Sequence, residues 1–130
     1  MASATNGIIM RIALAQMNVL EEETEKNMRK IEQFVKRAKR KKAGVVVFPE
    51  DCVTGPSTTK PWLDDRAGAY MKFFQMLAKE NLIDIVTGSW IERIGKRRYS
   101  TSHYIDYRGR VLVKYRKINL WLSERPYLTH

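Results

Sequence analysis

Cysteine is nearly missing from this chain: Cys52 is the single thiol in 130 residues, so neither an internal disulfide nor a multi-cysteine metal site can form. Histidine is almost as scarce, and His103 and His130 show no metal-ligand spacing, so no metal is expected. No apolar run approaches the roughly 18 residues of a membrane span, and no membrane association is expected. The opening, Met1 to Gly7, is small and polar with no basic segment leading into an apolar core. It predicts neither a secretory signal nor an Arg-rich transit peptide, and a cytoplasmic location is the default. Internal repeats and low-complexity linkers are lacking too, so residues 1–130 read as one domain at most.

Acidic residues are outnumbered, 14 against 24 basic ones, for a net charge of +10. A basic chain attracts polyanions whatever its fold. Lys36, Arg37, Lys39, Arg40, Lys41 and Lys42 crowd the end of one predicted helix, and Arg93, Lys96, Arg97 and Arg98 fall in a predicted turn. Such clusters also arise as a solvated helix end, where cations oppose the C-terminal partial negative charge, and as a solvated loop. Neither is interleaved with aromatics or set in a recognition module, which argues against nucleic acid as a partner.

With 44% hydrophobic residues the chain can bury a core. Ile8 to Met17 predicts a largely buried first strand. Thr24 is a capable N-cap, and Met28, Ile31, Phe34, Val35 and Ala38 follow at helical spacing towards Gly44, which can end the helix. Val45, Val46, Val47 and Phe48 lack polar alternation, as in a strand buried on both faces. Strand, helix and strand make a βαβ unit with parallel strands and a right-handed crossover. Pro49 breaks the pattern, and Asp51 to Pro61 reads as loop, beyond a strand's C-terminal end where functional residues gather. A second helix is expected from Asp64 or Asp65 to Asn81. Ile83 to Ile94, Tyr99 to Tyr107 and Val111 to Tyr115 then read as strands joined by short turns at Gly95 and Gly109, giving an α/β fold with a mixed sheet.

Two segments carry residues suited to chemistry. Glu50 follows Phe48-Pro49 at the rim of the sheet, where partial desolvation favours proton transfer; acidic residues at strand ends also serve solubility alone. The second is the segment Lys114 to Leu120 at the end of the last strand, where a fixed lysine ammonium can stabilise an oxyanion; the same segment also suits a solvent-facing basic strand terminus.

Taken together, the motifs resemble the nitrilase superfamily of carbon-nitrogen hydrolases. They are the opening strand Arg11 to Met17, the Asn27-bearing helix, Val46-Val47-Phe48-Pro49-Glu50 with Thr54-Gly55, the strand holding Thr87-Gly88-Ser89, and Tyr115-Arg116-Lys117-Ile118-Asn119-Leu120. Their order and spacing match together over nearly the whole chain from Met10. The resemblance implies a four-layer αββα sandwich, helices outside a mixed sheet, a Glu-Lys-Cys triad, and no cofactor. On that footing Glu50 is the general base, Lys117 the oxyanion partner, and Glu124 a second glutamate that places substrate or water. The substrate would be a small amide or nitrile, and the complete protein a homo-oligomer.

The family's nucleophile lies on an elbow well downstream of the lysine segment. Cys52 occupies the loop after the glutamate instead and has no activating histidine or glycine-rich turn nearby in sequence. The expectation is therefore an incomplete hydrolase domain, inactive alone, with an apolar sheet face left bare. The alternative is a non-catalytic, truncated binding or dimerisation module that uses its basic surface on polyanions. A gene product with no independent role is a third reading.

Overall fold

The computed structural model describes residues 7–130. The polar opening read for targeting signals lies, apart from Gly7, outside the described residues. In chain order the elements are β1 (Ile12–Leu14), α1 (Thr24–Arg40), β2 (Val45–Val47), α2 (Ala69–Asn81), β3 (Asp84–Val86), β4 (Trp90–Ile94), β5 (Arg97–Ile105) and β6 (Val111–Arg116).

Helix α1 buries Ile31, Val35 and Ala38 along one stripe, as its spacing predicts. Its ends differ from expectation. Thr24 is the first helical residue, and Glu23 occupies the cap without a side-chain bond. At the other end Lys42, not Gly44, adopts the left-handed backbone at φ 59°, closed by the Ala43 N–H on the Ala38 carbonyl at 3.1 Å. Helix α2 starts at Ala69, later than Asp64 or Asp65, because Gly68 turns left-handed at its cap and Asp65 accepts from the Ala69 N–H at 2.8 Å. Asp64 serves elsewhere, in a buried ion pair.

The strands form one six-stranded mixed sheet. β1 and β2 pair in parallel, as do β2 and β3, and β5 runs antiparallel to β3, β4 and β6. Residues 83 to 94, expected as one strand, are interrupted. Val86 pairs with Tyr104 and Trp90 with Thr101, so Thr87, Gly88 and Ser89 stand opposite only Ser102 and His103. That extra residue is a bulge, and it faces the turn carrying Glu50.

Both helices cover one sheet face. The core there joins Ile31, Val35, Phe74 and Leu77 of the helices to Val46, Ile85, Trp90 and Ile105 of the strands. Phe74 and Trp90 stack with ring centroids 5.6 Å apart, and Trp90 stacks in turn on His103 at 4.9 Å. Because strand side chains alternate, the opposite face carries a row given by successive pairings: Leu14, Val47, Val86, Tyr104 and Val113. No element lies over this row among the described residues, and Leu14 is 77% and Val113 58% exposed. This corrects the reading of Ile8 to Met17 as a largely buried strand. Only Ile12–Leu14 pairs, Ala13 and Ala15 pack towards the helices, and Ile12 and Leu14 point to the bare side. One helical layer on one sheet is half of an αββα arrangement, and the bare face is where a second sheet would pack.

Candidate active site

Glu50 owes its place to the bulge. The Phe48 N–H donates to the Val86 carbonyl at 3.0 Å, extending the β2 to β3 pairing as far as Pro49. Gly88, at φ 69°, lies so close to this turn that a Cβ there would fall 2.0 Å from the Pro49 carbonyl oxygen. Glycine is therefore required for both conformation and space. Beyond the turn the Asp51 N–H donates to Ser89 Oγ at 3.3 Å, and the Gly55 N–H donates to the Asp51 carbonyl at 2.8 Å. Thr87-Gly88-Ser89 thus grips the backbone on both sides of Glu50, whose side chain is left 61% exposed. The partial desolvation expected for this glutamate is small here because the sheet face above it is uncovered.

Lys117 reaches the same spot from the end of β6, which pairs with β5 on the far side of β3. Its N–H donates to the Ser100 carbonyl at 2.9 Å, prolonging the β5 to β6 ladder and aiming the side chain at the bare face. Nζ donates to Glu50 Oε1 at 3.4 Å and to Glu124 Oε1 at 3.0 Å. Glu124 is held in turn: its Oε2 accepts from the Trp121 N–H at 2.8 Å, and its carbonyl accepts from Tyr127 and Leu128, each at 2.9 Å. Leu120 and Leu128 fix the turn by packing on Ile91. Glu50, Lys117 and Glu124, which the resemblance singles out, come together, and Glu50 and Lys117 line a cleft of about 340 Å³ with Phe48, Val86, Ser89 and Ser102.

Charge organises this cluster. Partial burial works against the Lys117 ammonium, but its hydrogen bond to Glu124 and the charge of Glu50 outweigh it and hold its pKa above the ordinary lysine value. Lys117 is therefore a permanent cation whose Nζ can donate to a developing negative oxygen. Asp51 is a member that sequence reasoning missed. Burial, reinforced by the charge of Glu50 and opposed by Lys117, pushes its carboxyl up to about 7. Its sequence signal was available: aspartate is among the few non-glycine residues that tolerate the left-handed backbone, and Asp51 holds φ 54° directly after Glu50.

Cys52 is placed away from this face. It is fully buried among the helix-side core residues, its Sγ donates to the Thr87 carbonyl at 3.3 Å, and burial pushes its thiol up to about 12. His103 likewise faces the helices, against Trp90. The basic turn also needs correction. Arg93 and Arg98 lie within β4 and β5, where both bind Asp64, leaving exposed Lys96 as the cation of the turn and exposed Arg97 as the first residue of β5. Among the described residues no group of three or more His, Cys, Asp or Glu could hold a metal ion. No helix there is long and apolar enough to cross a membrane.

A sequence model of the carbon-nitrogen hydrolases matches residues 11–130. The chain belongs to the carbon-nitrogen hydrolase family. A nitrilase of Pyrococcus abyssi is 31% identical over 123 residues, covering 90% of this hydrolase chain and 46% of the relative. An omega-amidase of Xenopus laevis is 31% identical over 119 residues, covering 89% and 42%. The chain thus spans less than half the length of these two relatives. Among solved structures, an amidase from Nesterenkonia sp. superposes with a TM-score of 0.83 over 93% of this chain and 49% of its own, at 23% identity. That likeness shows a shared fold. In a variant of that amidase, fluoroacetamide has left an acetamide moiety covalently on the active-site cysteine.

Proposed function

We propose that this chain supplies the acid-base and oxyanion half of a carbon-nitrogen hydrolase site, and that the cysteine nucleophile comes from polypeptide beyond these 130 residues. The observation that carries the reading is the convergence of Glu50, Lys117 and Glu124 on the bare sheet face, with the chain's only thiol buried on the opposite one. Residues 1–130 are on this reading one incomplete domain, inactive alone. Its missing layer covers Leu14, Val113 and the cleft.

In the assembled site Glu50 takes the thiol proton, and the thiolate attacks the carbon of a small amide or nitrile. Lys117 Nζ hydrogen-bonds the oxygen, or nitrogen, that gains negative charge as the carbon becomes tetrahedral or trigonal. For an amide, the proton held by Glu50 goes to the departing amine or ammonia, leaving a thioester. Water then adds to that thioester, giving up a proton to Glu50, and the carboxylic acid and free thiol are released. Glu124, anchored on Lys117, holds the ammonium in place and offers a carboxylate oxygen for substrate or water. The relatives' names point to nitriles and short amides as the class to test.

Ammonia release from short aliphatic amides and nitriles tests the reading. Chain 1–130 alone releases none, whereas the polypeptide extended through a downstream cysteine-bearing segment turns over. Turnover by the 130-residue chain that Cys52→Ala abolishes would overturn it. A second reading, a non-catalytic association module, draws support from the same exposed row of apolar residues; the extended polypeptide would then remain inactive.

A further inference from the structure

Arg98 uses every donor it has, and three of its partners, Ser57, Thr58 and Tyr127, lie in the segments flanking the candidate site. Nε donates to Asp64 Oδ2 at 2.7 Å and Nη2 to Asp64 Oδ1 at 2.8 Å, a bidentate pair with Asp64 fully buried. Nη1 donates to the Thr58 carbonyl at 2.7 Å and the Tyr127 carbonyl at 3.4 Å, while the second hydrogen of Nη2 reaches the Ser57 carbonyl at 3.4 Å. These contacts account for all five guanidinium N–H groups. The Arg98 carbonyl also accepts from the Thr129 N–H at 2.7 Å. Ser57 and Thr58 belong to the loop that leaves Glu50. Tyr127 and Thr129 close the turn whose other hydrogen bonds hold Glu124. Arg98 lies 34 residues after Asp64 in the chain, and β5 carries it, buried, between the two loops.

We infer that Arg98 is a positioning residue: by tying Tyr127 and Thr129 to β5 and to the Ser57-Thr58 loop, it sets the Lys117 to Glu124 contact. This rests on the reading of Glu124 as a member of the site. The linkage runs from the Arg98 guanidinium to the Tyr127 carbonyl, from the Tyr127 N–H to the Glu124 carbonyl, and from the Glu124 carboxylate to Lys117 Nζ. Lysine cannot replace it, because one ammonium on a flexible stem cannot span a carboxylate and carbonyls on two separate loops.

The test reads the Lys117 ammonium rather than turnover. Its side-chain titration is followed by NMR in the unaltered protein and in the Glu124→Gln, Arg98→Lys and Arg98→Leu/Asp64→Leu variants. Arg98→Lys keeps a cation beside Asp64. The double variant removes the buried pair together, leaving only Arg93, which also reaches solvent, without its Asp64 partner. In Glu124→Gln the Lys117 pKa falls, because its strongest hydrogen-bonding anion is gone. In folded Arg98→Lys and in the double variant it falls by at least half as much. A Lys117 titration unchanged in both folded variants overturns the inference, and so does unfolding of both, since Arg98 would then hold the fold and not the contact. If Glu124→Gln itself leaves Lys117 unmoved, Glu124 is no part of the site and the site reading fails first.

Discussion

Lys117 Nζ and Glu50 Oε1 lie 3.4 Å apart although 67 residues separate them in the chain. One is delivered by the exit of β6 and the other by the exit of β2, on opposite sides of the β3 and β5 strands. The glycine of the intervening bulge allows the Glu50 turn to come close enough. Replacing Gly88 with alanine would set a methyl against the Pro49 carbonyl and strain a left-handed backbone. Gly88→Ala is expected to destabilise the fold by about 2–4 kcal/mol in urea unfolding. An unchanged midpoint would show that the bulge does not position the turn.

His103 gives the fold an acid limit. Burial, with the nearby Lys114 and Arg116 charges and against that of Glu92, pushes its imidazole down to about 4 from 6.5, and Nδ1 has no hydrogen-bond partner. A depressed histidine keeps the folded state neutral, so between these values the unfolded chain binds more protons. The contribution is fully present above pH 6.5 and is lost as pH falls through about 4. It amounts to about 3 kcal/mol. The stability advantage of the unaltered protein over His103→Leu should therefore grow as pH rises from 4 to 7.

Asp51 runs the other way. Its carboxyl, raised to about 7 by burial and by the charge of Glu50, favours the folded state while protonated and disfavours it as pH rises through 7. Asp51→Asn should therefore gain more stability relative to the unaltered protein at pH 8 than at pH 5, because the loss begins above the unfolded value of 3.8 and is complete only above about 7. Equal effects at the two pH values would contradict the placement of this carboxyl.

Cys52 should behave as a core residue. With its thiol pushed up to about 12 and fully enclosed, it should react with a disulfide reagent only as fast as the protein unfolds. Cys52→Ala should cost about 1 kcal/mol of stability and leave turnover of the extended polypeptide unchanged. Stoichiometric labelling of the folded chain within seconds would contradict both statements.

Much of this architecture was legible before any coordinates. The 3.6-residue spacing of Ile31, Val35 and Ala38 reports burial that these residues achieve, as do Val45, Val46 and Phe48, whereas Val47, expected to be covered as well, is only half-buried because it faces the bare side. Ile8, Ile9 and Leu14 carry the same hydrophobic signal and stay exposed, because hydrophobicity records what a segment needs covered, not what covers it. The Asp64 to Arg98 pair was illegible for a different reason. Nothing local distinguishes a buried aspartate from one opening a helix, or an arginine in a strand from one in a basic turn. Glu50, Lys117 and Glu124 stood out through their motifs, and their meeting point depends on pairings that only the folded sheet displays.

The most direct test is the turnover of a short amide by the extended polypeptide with Lys117→Met, beside Glu50→Gln. Loss of the ammonium should lower kcat by about 10²–10³-fold, and loss of the carboxylate by about 10²–10⁴-fold, with both variants still folded. Turnover by Lys117→Met within a few-fold of the unaltered enzyme would contradict the assignment of this lysine to the reacting centre.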